Sequence, residues 1–594
     1  IMDNRSFFRG RTIFLTFIFL ALIVIVLFRF FYLQVINGDE LKELREKNIN
    51  TFEYVYPKRG RIISKDGFVL AEDRKIFSIA VNLNVKPNEQ AIEKLISIFP
   101  NKIENQYVKD IVEKSIKTGN QEVVVSKLNQ QELSKFLVRS NELEGFSVIE
   151  NYERIYDHHP SIFHVLGHMG YLSERDKTYF KSRIDQYTPS LWRRVGKSGI
   201  ERIYEEKLRG KHGKRFFLRN ARGQKKVEIG KEDFIEGSDL NISINFNAQK
   251  KAYDLLNGRK GSIVVIDLRD FSIPVAVSAP SISANDLRDI SSKEYQALLN
   301  DTKRPLFNRA FMGLYPPGST IKPFFTIFAL SNSYTNWQEQ IYDDGFFRFA
   351  ESGRVFNAWR EGGHGLTNLN KALVESSNPF FMNLATRYEK GSFTDFLDSG
   401  SFGKRLCVDC WPHQFSPLIS DQWKTKNFGS RLFRGDLVNM GVGQGYLSVT
   451  PLHLALISAM IAKKGDYEIP YLVQKEQDIQ RLNFDLTEED WKQLHESLTQ
   501  VIYSRNGTGI RIQPGDMKLA GKTGTAQVKS INSKKEYDDL RENEEFRDHA
   551  MFIGFAPYDE PRYAISVVIE NGEWGGSVAG PVARDVLLEV FNAD

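Results

Sequence analysis

A serine followed three residues later by a lysine suits one chemistry in particular, acyl transfer through a covalent intermediate. Residues 315 to 323 read Tyr-Pro-Pro-Gly-Ser-Thr-Ile-Lys-Pro, with Ser319 and Lys322 at that spacing. Pro316, Pro317 and Gly318 end whatever element precedes them, and the apolar run Phe324–Leu330 suits a buried helix. Pro323 is tolerated only in a helix's first turn, where its missing N–H breaks no bond. The helix is therefore expected to begin about at Ser319. Residues three apart share a helix face, which carries the Lys322 amine toward the Ser319 hydroxyl. A serine hydroxyl needs a base to take its proton. A lysine serves as that base only if burial or a neighbouring cation lowers its pKa. The helix N-terminus also favours negative charge developing near Ser319. Taken alone, the pattern describes an ordinary capped helix with a surface lysine equally well.

Two further strings bear on the same chemistry. Glu375-Ser376-Ser377-Asn378-Pro379 puts a hydroxyl (Ser376) and an amide (Asn378) on one side of a turn, as proton relay and substrate-orienting group. Such strings also cap helices. Gly521-Lys522-Thr523-Gly524-Thr525-Ala526 reads as a strand edge. Gly524 lets a substrate approach the backbone closely. Lys522 and Thr523 offer a cation and a hydroxyl to an anionic group, and the N–H of Thr525 is suited to join that of Ser319 as an oxyanion hole. A phosphate-binding G-x-x-x-x-G-K-[ST] turn is absent, because its first glycine would fall on Asp516. In the order S-x-x-K, S-x-N, K-T-G the three strings form the signature of serine β-lactamases and penicillin-binding proteins. The interval between the first two leaves room for a helical subdomain.

These residues need a scaffold, and the apolar runs outline one. Ser262–Ile266 and Ile273–Val277 flank a polar turn, which is a hairpin signal. Ala550–Pro557 and Tyr563–Ile569 repeat it near the end of the sequence, and Val582–Phe591 has helical periodicity. Strands at both ends of this region with helices between predict an antiparallel sheet flanked by helices, an α+β arrangement. At 594 residues the chain is too long for one compact domain. Hydrophobic residues at 41% and charged residues at 26% exclude a disordered chain and a polytopic membrane protein. A net charge of +5 and the lack of a basic stripe interleaved with aromatics argue against nucleic acid as a partner. Thr12–Phe28 carries no charge, no Gly and no Pro, and follows Arg5, Arg9 and Arg11. That predicts one spanning helix with the body outside the cytoplasm, the alternative being a cleaved signal. Residues 38 to 50 read as a membrane-proximal stalk. Cys407 and Cys410 are too few for a disulfide scaffold. They leave open a local bridge, plausible outside the cytoplasm, and two free thiols.

Several long strings extend the match well past the catalytic motifs: RGRIISKDGFVLA (59 to 71), HVLGH (164 to 168), GKSGIERIYEEKLRGKHG (196 to 213), GVGQGYLSVTPLHLA, AGKTGTAQV and DHAMFIGFAPYDEPRYAISVVIENG. Through them the chain resembles the class B penicillin-binding proteins of the elongation type nearly end to end. The resemblance implies residues 1–37 as cytoplasmic stub and anchor, 38–240 as a non-catalytic, partner-binding pedestal, and 241–594 as the transpeptidase domain. It implies Ser319 as acylated nucleophile, Lys322 as its base, Ser376 and Asn378 as relay and substrate holder, and Lys522, Thr523, Gly524 and Thr525 around the donor carboxylate. Its substrates would be D-Ala-D-Ala stem peptides, its inhibitors β-lactams and its partners a SEDS-type glycan polymerase and other elongation-complex proteins. The place would be the bacterial inner membrane, with the bulk in the periplasm. A serine β-lactamase, a D,D-carboxypeptidase, a division-type relative and a silent scaffold are the competing readings; the pedestal speaks against the first, the local strings against the third and intact motifs against the last. The family's Asp-Arg-Asn-Gly turn is Ser64-Lys65-Asp66-Gly67 here. Some relatives carry a zinc site built from two aspartates, a histidine and a cysteine. The matching positions are Asp343, Ala358 or Asn357, His364 and Ser377, so neither a metal nor another cofactor is expected.

Overall fold

The computed structural model describes residues 4–32, 50–82, 85–118, 121–181, 194–219, 225–288, 290–350, 353–475, 478–512, 515, 517–528, 539 and 542–593. The chain falls into two compact units. One comprises residues 1–59, 74–153 and 209–237, and the other residues 60–73, 154–208 and 238–594.

In the first unit α1 spans Asn4–Phe31. Its described side chains from Ile13 to Arg29 are all exposed, including Phe14, Phe17 and Leu27. Among the described residues no helix is long and apolar enough to cross a membrane. The expected stalk lies outside the described residues except for Asn50. Beyond it, the strand Asn50–Val55 pairs antiparallel with Gly213–Arg219, which pairs in turn with Lys225–Glu232. Two amphipathic helices, Glu89–Ile98 and Asn105–Thr118, bury Ala91, Ile92, Leu95, Val108 and Val112 in a core shared with Val124 and Val125 of a neighbouring strand. The first of these helices is capped by Asn88, whose side chain accepts from Ala91 N.

The second unit is built on the sheet the apolar runs foretold. α2 is Phe246–Leu255, β1 Gly261–Asp267 and β2 Val275–Ala279. The second strand begins two residues later than its apolar run because the Ile273 N–H is taken by Tyr471 O. α3 is Lys322–Ser331, α4 Asn378–Ala385, α5 Pro451–Ala462 and α6 Glu488–Tyr503. β3 is Ala520–Ala526, β4 His549–Ala556, β5 Tyr563–Ile569 and α7 Gly580–Asn592. The strands are all antiparallel in the order β2-β1-β5-β4-β3.

Strands buried on both faces read as continuous apolar runs rather than alternating ones, and β1 shows why. Ile263 and Val265 join the core under α2 and α7, while Val264 and Ile266 join the larger core that holds α5. Every side chain of α5 is buried, as expected of a helix apolar on all sides. Two hydroxyls fasten it to the sheet: Ser566 Oγ donates to Pro451 O at 2.6 Å, and Ser458 Oγ to Gly554 O at 2.8 Å. The Ser64–Gly67 string still turns, with Gly67 at φ +85°. Asp66 in it accepts from the backbone N–H groups of Phe246 and Asn247, so its charge sits at the start of α2.

Between the first two motifs, after α3, the described residues among 341–367 form short strand pairs, and the expected helical segments come later. Ile341–Asp343 pairs with Gly365–Thr367, and Phe346–Arg348 with Val355–Asn357. Gly345, Gly353, Gly362, Gly363 and Gly365 all take positive φ there, a density of turns no helix tolerates. The helices Leu369–Val374, α4, Lys390–Ser399, Asp421–Phe428 and Arg434–Met440 follow instead.

Candidate active site

The turn carrying Ser319 is a single stretch of 3-10 helix, Gly318–Ile321, that runs directly into α3. Gly318 is held at φ +52°, and a Cβ there would stand 2.6 Å from Thr525 O. Its N–H donates to Gly443 O at 2.9 Å. Gly443 itself has no room for a side chain, since a Cβ would stand 2.1 Å from Gly318 O. The turn is thus wedged between β3 and the Gly-Val-Gly-Gln-Gly segment, and only a glycine pair allows it. Ser319 is half-buried, so its hydroxyl can be reached.

Lys322 has no exposed surface. Its Nζ donates to Asn378 Oδ1 at 2.7 Å, to Ser376 O at 2.9 Å and to Ser377 O at 3.3 Å, with Ser376 Oγ at 3.4 Å. The spacing therefore delivers the amine to the second motif, and Ser319 Oγ is not among its hydrogen-bond partners. Burial, and then the charge of Lys522, push Lys322 well below the ordinary lysine range, with Asp343 pulling the other way. An amine lowered in this way gives up its proton more readily, and its neutral form can accept one from a hydroxyl one helical turn away.

The second motif is anchored from behind. Ser376 stands at φ +59°. Ser377 Oγ accepts from Phe380 N at the start of α4 and donates to Asp343 Oδ2 at 2.6 Å. His364 Nδ1 lies 2.7 Å from that same oxygen, and Gly345 N donates to Asp343 Oδ1 at 3.0 Å. Burial raises the Asp343 carboxyl, but the hydrogen bonds from Ser377 and His364 outweigh it and hold it below the usual range.

Three of the positions matching a zinc site thus converge, yet they do not fit the ion. Asn357 is exposed on its strand and Ala358 has no donor. Ligands about 2.0 Å from tetrahedral zinc stand about 3.3 Å apart, whereas these pairs are 2.6 and 2.7 Å apart, the spacing of hydrogen bonds. Among the described residues only Cys407, Asp409 and Cys410 gather three metal-binding side chains. There the two sulfurs form a disulfide, which settles the alternative the sequence leaves open. Asp409 is spent on the N–H groups of Leu472, Val473 and Gln474. Protein purified without chelator or histidine tag is expected to hold well under one zinc per chain. EDTA is then expected to leave penicillin labelling unchanged. One zinc per chain by elemental analysis would overturn the assignment.

The third motif forms the edge strand β3. Lys522 is fully buried, and burial lowers it to about 7. Its Nζ donates to Thr523 O at 3.2 Å. A Cβ at Gly524 would stand 2.5 Å from Thr320 Cγ2, so glycine is what lets β3 lie against the Ser319 turn. Thr525 is half-buried beside it. Thr523 Oγ1 lies 2.6 Å from Thr508 Oγ1, a neighbour no sequence pattern singles out. The geometry brings together Ser319, Lys322, Ser376, Asn378 and the β3 edge from Lys522 to Thr525.

Residues 261–588 match the family described as Penicillin binding protein transpeptidase domain, and residues 54–242 match Penicillin-binding Protein dimerisation domain. The chain is 32% identical to peptidoglycan D,D-transpeptidase MrdA of Acinetobacter baumannii, over 98% of this chain and 87% of that protein. To the protein of the same name from Haemophilus influenzae it is 30% identical, over 99% and 92%. Among solved structures, penicillin-binding protein 2 in complex with MreC from Helicobacter pylori has a TM-score of 0.79 at 27% identity, covering 92% of this chain and 99% of that one. The chain belongs to the penicillin-binding proteins, and within them to the class B group of penicillin-binding protein 2.

Proposed function

We propose that this protein is a peptidoglycan D,D-transpeptidase that cross-links stem peptides during cell elongation, and that Ser319 carries the acyl group. The observation that carries the reading is a fully buried Lys322, bonded to Asn378 and Ser376 and lowered by burial and by Lys522, one helical turn from the half-buried Ser319 hydroxyl. Ser319 Oγ attacks the carbonyl carbon of the penultimate D-alanine as its proton passes to Lys322 Nζ. The N–H groups of Ser319 and Thr525 receive the oxyanion. The bond to the terminal D-alanine breaks, and its amine takes the proton from Lys322 by way of Ser376. Lys522, Thr523 and Thr525 receive the donor carboxylate, Gly524 lets it approach the backbone, and Asn378 holds the peptide. An acceptor amine then attacks the ester carbonyl, and the proton it loses returns to Ser319 Oγ. A β-lactam enters by the same first step, but its leaving nitrogen stays tethered.

The domain limits proposed are 1–37, 38–240 and 241–594. α1 is proposed as a single inner-membrane anchor with the bulk in the periplasm, supported by its row of exposed apolar side chains and the preceding arginines. Protease added to intact spheroplasts should then digest nearly everything beyond about residue 40; a protected body would refute this topology. A SEDS-type polymerase and an MreC-like protein are the partners proposed, the second because the Helicobacter pylori relative is seen with MreC. Mass spectrometry of products from lipid-linked donor, with the polymerase present, tests the activity. Cross-linked dimers that vanish with Ser319→Ala are expected. Trimmed but unlinked peptides would make the protein a carboxypeptidase.

A further inference from the structure

Thr508 lies in the turn after α6 and is held from several sides. Gly507 N donates to Ser504 O and Gly509 N to Val501 O, both at 2.9 Å. A Cβ at Gly576 would stand 2.1 Å from Thr508 O. The Thr508 N–H points to Val374 O at 3.4 Å, two residues before Ser376. Its hydroxyl is 2.6 Å from that of Thr523. Thr508 therefore bridges the second and third motifs, and its one free chemical group is spent on a residue proposed to receive the donor carboxylate.

The direction of that hydroxyl bond matters. Each threonine hydroxyl has one proton and two lone pairs. If Thr523 donates to Thr508, it turns lone pairs toward an incoming carboxylate, and the two repel. If Thr508 donates to Thr523, the Thr523 proton is free to point at the carboxylate, and the two bonds reinforce one another. We propose that Thr508 makes Thr523 a donor, and so acts as a positioning residue that selects ligands ending in a free carboxylate over neutral ones. This rests on the active-site reading above, in which Thr523 meets the donor carboxylate. Thr508 touches no substrate itself; it acts through Thr523.

The test is the acylation rate constant for a penicillin and for its methyl ester, measured on the full chain. Thr508→Val keeps the branched shape and removes the hydroxyl, while Thr508→Ser keeps the hydroxyl. Hydrogen bonds to charged groups suggest a loss of about tenfold for the free acid with Thr508→Val. The ester should change by less than about twofold, so the acid-to-ester ratio falls, and Thr508→Ser should restore it. An equal loss with both ligands would make Thr508 merely structural and overturn the proposal, as would an unchanged ratio or a Thr508→Ser protein no better than Thr508→Val. Wild-type protein that does not distinguish acid from ester would instead remove the carboxylate site, and this inference with it. Wild-type preference that survives Thr508→Val removes the role of Thr508 alone.

Discussion

Ser319→Ala is expected to abolish covalent labelling by a fluorescent penicillin and to leave the protein folded. The two halves of that result have different causes. The Ser319 side chain is half-buried on a turn whose shape is set by backbone, through Gly318, Gly443 and Thr525. Losing the hydroxyl leaves no buried partner unsatisfied, so stability should change by about 0.5 kcal/mol or less. Acylation, by contrast, needs an oxygen within reach of both the ligand and the base. Among the described residues the hydroxyl bonded to Lys322 Nζ is that of Ser376, at 3.4 Å. Ser376 is buried to 6% exposure, which suits a relay better than a nucleophile that must meet a bulky carbonyl. Ser376→Ala should therefore slow labelling without ending it. Full labelling of Ser319→Ala, or a labelled peptide containing Ser376, would sink the assignment.

Much of this site was legible because its parts announce themselves locally. Proline and glycine mark the Ser319 turn, and doubly buried strands leave unbroken apolar runs such as Tyr563–Ile569, whose observed limits are the same. What stayed hidden depends on distant partners. Asp66 in the Ser64–Gly67 turn looked like a departure from the family's pattern, but it caps α2 far along the chain. Thr508 sits in an unremarkable Asn-Gly-Thr-Gly string and matters only because the chain returns to lay Thr523 against it. Asp343 and Ser377, which the resemblance matches to positions of one zinc site, meet through a hydrogen bond that no local pattern marks. The interval that contains Asp343 has the length for helices, but its positive-φ glycines close much of it into short strand pairs. The Cys407–Cys410 bridge was open for a similar reason: residues three apart bond only if the turn brings their Cα atoms close, here to 5.6 Å.

Lys322→Ala is expected to lower the acylation rate by about 10²- to 10⁴-fold, the usual worth of a positioned base, and to remove the acidic limb of its pH profile. Two buried lysines share this site, and they differ in how readily each loses its proton. Both are displaced downward by burial, but Lys322 also feels the charge of Lys522, while Lys522 is lowered by burial to about 7. The charge of Lys522 thus favours loss of the Lys322 proton, and an arriving carboxylate reinforces this by raising Lys522. With the neutral methyl ester the wild-type rate should rise with pH as Lys322 loses its proton and then level off. With the free acid it should fall again at higher pH, as Lys522 loses the charge that meets the carboxylate. Stability should follow the same groups. Their folded pKa values lie below the unfolded value of about 10.4, so the unfolded chain binds more protons between the two limits. Stability accordingly rises with pH from about 7 upward for Lys522, and Lys522→Met should flatten that rise. A Lys322→Ala protein that keeps a wild-type acidic limb would show that another group takes the Ser319 proton.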